Sequence, residues 1–133
     1  MKKLFIVAFF IFSTFSFLKA QSLSNDDSEI LTFAEQMPEY PNGMDSMMRF
    51  IQKNLSYPDK AKKDSIQGKV IVQFVVSKTG AIEDIKIIKS LSKECDEEVM
   101  RVVSIMPRWN PGKQNGKAVS VRFVLPVIFR LKD

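Results

Sequence analysis

The chain has 133 residues, 45% of them apolar and 26% charged, with a formal charge of +5. That length suits one domain better than two. Histidine is absent and Cys95 is the only cysteine, so a Ser–His or Cys–His pair, imidazole metal ligation and an internal disulfide are excluded.

Lys2 and Lys3 precede an apolar run from Leu4 to Leu18, and Ala20 offers a small residue at a cleavage position. The run is shorter than the about 20 apolar residues a spanning helix needs. Residues 1–20 therefore read as a cleaved signal peptide and the mature chain as periplasmic, the alternative being an inner-membrane anchor facing the periplasm. Lys2, Lys3 and Lys19 belong to this leader, so the basic balance gives weak grounds for nucleic-acid binding. Residues 21–36 form a polar lead-in, within which Ile30–Ala34 suit a short strand.

Residues 37–133 read as the folded domain. Pro38, Pro41 and Asn42-Gly43 mark a turn, with Asn42 placed to cap a helix over about Gly43–Leu55. Met44, Met47, Met48, Ile51 and Leu55 recur at helical spacing and are expected to face the core. Tyr57-Pro58 ends that helix, and Pro58 suits the first position of a short second helix that stops near Gly68. Lys69–Ser77 is apolar on much of both faces, as a central strand is. Ser77–Gly80 forms a hairpin loop in which Gly80 supplies positive φ. In the return strand, Ala81–Lys89, apolar Ile82 is followed by Ile85 and Ile87, and the step of three predicts a bulge near Glu83-Asp84. A third helix over Lys93–Met106 carries Val99, Val102, Val103 and Met106 on one face. Cys95 falls on the same side and reads as a small core residue, since no histidine or cluster of bases is near to lower its pKa.

Pro107 closes that helix, and Trp109-Asn110-Pro111-Gly112 turns the chain into its last strand. There Val119, Val121, Phe123, Leu125, Val127 and Phe129 alternate with Ser120, Arg122, Val124, Pro126 and Ile128, the period of a strand with one buried face. Proline cannot donate to a ladder and is confined to sheet edges, strand ends or bulges. If Pro126 faces a free edge, Ser120, Arg122 and Val124 offer unpaired backbone groups along it, which another strand can use.

Catalysis is not expected: there is no histidine, no glycine-rich loop opening a helix, and the acids Glu94, Asp96, Glu97 and Glu98 crowd the start of a helix where a solvated face suffices. No cofactor, metal or small-molecule substrate is expected. Lys60, Lys62, Lys63, Lys113, Lys117 and Arg122 are basic but lack interleaved aromatics, so no nucleic acid is expected either. A peptide partner fits the edge best. The second reading is a structural protein whose edge pairs with its own copy as a homodimer.

The order Tyr57-Pro58-x-x-Ala61, Ile66-Gln67-Gly68-Lys69-Val70, Phe74-x-Val76, Gly80-x-Ile82 and Arg108-Trp109-Asn110-Pro111-Gly112-Lys113 resembles the C-terminal domain of TonB, over about Met37 to Leu131. MPEYPNGM and VRFVLPVIF look most like its versions in Bacteroidetes. The resemblance implies a two-layer α+β domain, helices packed on one face of a three-stranded, possibly four-stranded, antiparallel sheet. It implies a periplasmic domain that takes a segment of an outer-membrane receptor, the TonB box, by strand addition at the last strand, here about Ala118, Val119, Ser120, Val121, Arg122, Phe123 and Val124. Tyr57 and Pro58 match a motif near the receptor-facing surface. Trp109 is assigned to packing, with Pro111, Gly112, Gly68 and Gly80 as structural positions. A full TonB also carries an anchor histidine and a long Pro-rich spacer. The lead-in here, about 16 residues at ~3.5 Å each, reaches less than about 60 Å, so the chain is expected to be the binding end of a transducer without its transducing end.

Overall fold

The computed structural model describes residues 29–132, so the expected leader and the start of the lead-in lie outside the described residues. The elements are β1 (Ile30–Leu31), α1 (Met44–Asn54), α2 (Asp59–Lys63), β2 (Gly68–Val76), β3 (Ile82–Lys89), α3 (Lys93–Ser104), β4 (Gly112–Gln114) and β5 (Lys117–Phe129). The sheet order is β1-β5-β2-β3, with β4 also paired to β5.

The expected three- or four-stranded antiparallel sheet is thus corrected to five strands of mixed direction. β1 lies parallel to β5, with Ile30 opposite Ser120 and Leu31 opposite Val121. It arrives from the amino-terminal arm rather than through a hairpin, so nothing obliges it to run antiparallel. β4 comes from a two-residue turn in which Asn115 (φ 53°) and Gly116 (φ 77°) both take positive φ and fold Gln114 against Lys117, the geometry that matches strand twist.

β2 is central because it is apolar on both sides. It pairs antiparallel with β5 from Gly68 opposite Phe129 to Val76 opposite Val121, and with β3 on its other side. Val70, Val72, Phe74 and Val76 are fully buried on the helix face, and Val75 is buried on the other. β3 shifts register twice against β2; the first shift holds an extra residue at Asp84 (φ 51°), the bulge that the isoleucine spacing requires.

All three helices share one core with the sheet. Met47 and Ile51 of α1, Ala61 of α2 and Cys95, Val99, Val102 and Val103 of α3 join Leu125, Val127 and Phe129 of β5. Met44 and Met48 do not: they are 60% and 48% exposed, so the expected methionine stripe is buried only where Met47 and Ile51 meet the sheet. Asn42 does not cap α1 either. It supplies positive φ (67°) to the turn closed by the Gly43 N–H on the Tyr40 carbonyl at 2.8 Å, and Gly43 takes the cap position without a side-chain bond. Pro58 sits one position before α2 rather than inside it. α3 is capped by Ser92, whose Oγ accepts from the Cys95 N–H at 3.1 Å. The helix stops at Ser104, short of the expected Met106.

Trp109 closes the end of this core. It is 3% exposed, with ring centroids 5.0 Å from Phe123, 5.5 Å from Phe74 and 5.8 Å from Tyr40 in edge-on contacts. Its amide donates to the Gly80 carbonyl at 2.9 Å. Gly80 has φ 85°, and a Cβ there would lie 2.0 Å from the Trp109 carbonyl oxygen, so only glycine fits. The arm is zipped to the segment after Trp109: Glu39 and Asn110 exchange two backbone hydrogen bonds at 3.0 and 2.8 Å, as do Gln36 and Lys113.

Candidate functional site: the unpaired edge of the last strand

β5 is longer than any strand that pairs with it. Lys117–Val119 pair with β4, and Ser120 and Val121 with β1. Past Val121, β2 covers one side as far as Phe129, and among the described residues no strand covers the other. The free edge is therefore Arg122–Phe129.

Pro126 fixes which backbone groups line that edge. It stands opposite Ile71 in the middle of an unbroken ladder. A residue without an N–H belongs at a position whose backbone groups point away from the partner strand. By alternation, Phe123, Leu125, Val127 and Phe129 bond toward β2, while Arg122, Val124, Pro126 and Ile128 turn toward solvent. The edge thus presents the N–H groups of Val124 and Ile128 and the carbonyls of all four, while the Leu31–Val121 register of the parallel ladder gives the Arg122 N–H to the Leu31 carbonyl. Pro126 also denies one donor to any strand that would dock in an arbitrary register.

Of the residues expected from sequence to bind a partner, Ala118 and Val119 are engaged by Lys113 and Gly112 of β4, and Ser120 and Val121 by β1. Arg122, Phe123 and Val124 lie on the free part. Phe123 turns its half-buried ring to the helix face against Phe74 and Trp109. Tyr57 is half-buried at the other end of β5: its ring meets Phe129 edge-on at 5.4 Å, and its hydroxyl donates to the Ile66 carbonyl. Burial first, and then the Cys95 thiol beside it, hold the phenol above its usual pKa. Gln52, Leu55, Tyr57, Ile128, Arg130 and Lys132 border one cleft there. Pro58 follows, half-buried.

The structural positions are placed as follows. Pro111 is half-buried in the turn and Gly112 is buried in β4, where a Cβ would lie 2.8 Å from Val121 and 3.0 Å from the Gln36 carbonyl. Gly68 begins β2 beside Leu91. Sequence reasoning used Pro126 to mark the edge but stopped the partner strand at Val124, and so missed Ile128 and the cleft beyond. The apolar alternation running on to Phe129 was the signal for Ile128. Nothing in the sequence puts Gln52 and Leu55 beside them.

Cys95 is fully buried, and among the described residues no group of three or more Cys, Asp or Glu side chains could hold a metal. No helix among them is long and apolar enough to cross a membrane.

The fold and the edge define a small two-layer α+β domain whose last strand is open on one side. The family model described as Gram-negative bacterial TonB protein C-terminal matches residues 53–131, and the chain belongs to that family, whose members generally serve energy transduction for outer-membrane transport. Comparison with curated proteins finds no match. Among solved structures, the Helicobacter pylori TonB C-terminal domain (residues 179–285 of that protein) is 22% identical, with a TM-score of 0.49 over 65% of this chain and 78% of that one. The Pseudomonas aeruginosa TonB C-terminal domain is 28% identical, with a TM-score of 0.48 over 59% of this chain and 79% of that one.

Proposed function

We propose that this chain is a periplasmic peptide-binding module that takes an extended segment of an outer-membrane receptor as one more strand on β5, within transport driven through the TonB family. The observation that carries this reading is the unpaired edge Arg122–Phe129, set in register by Pro126. Strand addition draws its affinity from backbone hydrogen bonds, each worth about 0.5–1.5 kcal/mol net. The edge offers several at once.

The test is a semisynthetic chain N-methylated at Val124, which loses one outward donor and sterically blocks the middle of the edge while every side chain stays. Calorimetric titration with a receptor-derived peptide should show binding to the unmodified semisynthetic chain and none to the methylated one. Equal affinity for both would place the partner elsewhere. Should the edge serve self-pairing instead, size-exclusion without peptide would show a dimer that grows with concentration and vanishes on methylation.

A further inference from the structure

We propose that the strand received at this edge is acidic at both ends and apolar between, with its pattern set by Arg122, Val124, Ile128 and Arg130. The inference rests on the strand-addition reading and goes further by naming the chemistry of the partner.

An incoming strand alternates its side chains across the sheet just as β5 does. Those that fall on the face away from the helices stand beside Arg122, Val124, Pro126 and Ile128, and beside Arg130 just past the strand end. Val124 and Ile128 are 54% and 62% exposed, so this row of the sheet is apolar and lacks a neighbour on its outer side. A β-branched or aromatic residue beside each would complete it. At the ends of the row are two guanidinium groups, and among the described residues neither has a carboxylate within 4 Å. Glu83 is the one carboxylate that register puts on the same face near Arg122, but both flank Val75 from opposite sides. They are two strand spacings apart, about 9–10 Å, whereas a residue on an added strand stands about 5 Å from Arg122. The added strand therefore wins that contact.

The surroundings reinforce the sign. Register places Lys69 beside Ile128, Lys89 beside Ile71 and Lys86 beside Gln73 on this same face. Lys69, Lys89, Ile128 and Arg130 border one shallow cleft. Four cations at register positions face the single carboxylate of Glu83, so a basic partner strand is disfavoured and an acidic one attracted at the Arg130 end above all. The resulting pattern spans about nine residues, acid-x-apolar-x-x-x-apolar-x-acid, and reads the same in either strand direction.

Fluorescence anisotropy with the full chain and three labelled synthetic peptides tests this. One peptide carries the pattern, a second has lysine for both acids, and a third has serine for both apolar residues. At low salt, where exposed charges are least screened, the first should bind roughly tenfold tighter than the second. It should bind roughly fivefold tighter than the third, as cross-strand pairs of this kind allow. The double variant Arg122→Glu, Arg130→Glu should reverse the order of the first two. The neutral pair Arg122→Gln, Arg130→Gln should bring them to within about twofold, screening aside. Equal affinity for all three peptides, each blocked by N-methylation at Val124, would overturn the pattern and leave strand addition standing. An acidic preference that survives both double variants would assign it to the charge of the whole protein, and overturn the proposal too. Binding that ignores N-methylation would remove both readings.

Discussion

Trp109 shows how much one residue can carry in a domain of this size. Its ring is the meeting point of Tyr40, Phe74 and Phe123, and its backbone bonds to Gly80, so it joins the arm, β2, β5 and the β2–β3 turn. Among the described residues the buried indole Nε1 has no hydrogen-bond partner, so what they offer the ring is shape and edge-on aromatic contact. Trp109→Ala should therefore cost about 3–5 kcal/mol, much of the stability of a small domain, and thermal melting reads it. Trp109→Phe should cost clearly less, since it keeps an aromatic edge and loses no hydrogen bond. Equal losses for the two would mean that indole volume, not aromatic contact, closes this end of the core.

At the scale of elements, one carboxylate ties α3 to the end of α1. Glu98 accepts from the Ser56 amide at 2.6 Å and from Arg101 at 2.9 and 2.8 Å, and Arg101 donates in turn to the Asn54 carbonyl at 2.7 Å. Arg101 is the main reason the carboxyl sits below its usual pKa; burial opposes this, and the Ser56 amide adds to it. A depressed folded-state pKa gives stability that is present above the unfolded value, about 4.3, and is lost as pH falls through the folded value. Glu98→Gln should thus lower the melting temperature at pH 7, by the equivalent of about 1 kcal/mol or less because Arg101 is half exposed. The gap to the parent should close in melts at pH 3. A gap of the same size at both pH values would mean that the Ser56 contact, which glutamine keeps in part, is not governed by charge.

At the scale of the whole molecule, the described residues form a sheet that runs from a buried centre to two open edges, β3 and β5, with the arm covering only the first residues of β5. Hydrogen exchange should follow that gradient. Amides of Val70–Val76 in β2 should be the slowest. Along β5 the rate should alternate past Arg122, whose amide β1 holds: Phe123, Leu125 and Val127 protected by β2, and Val124 and Ile128 exchanging freely. A bound strand should slow the second set and leave the first unchanged. Uniform protection along Arg122–Ile128 in the free protein would show that something already covers the edge.

What the sequence determined by itself is local. The alternation in Lys69–Val76 and Val119–Phe129, the isoleucine step that requires a bulge at Asp84, the positive φ of Gly80 and the spacing of Val99, Val102 and Val103 all follow from the period of a strand, a turn or a helix. Neighbouring residues encode those periods. Pro126 marked an edge in the same way, because a missing N–H is a property of one residue. β4 was legible too, from the Asn115-Gly116 pair, whose positive φ values fold Gln114 against Lys117. Tertiary structure decided the rest, because it depends on which distant segments compete for the same backbone groups and the same apolar surface. Residues Ala118–Val121 carry the same alternation as Arg122–Val124, yet β4 and β1 occupy them and move the free edge toward Phe129. Met44 and Met48 belong to the same helical stripe as Met47 and Ile51, yet only the latter two meet the sheet. Burial and pairing are shared out among elements far apart in the chain, and no local period records how.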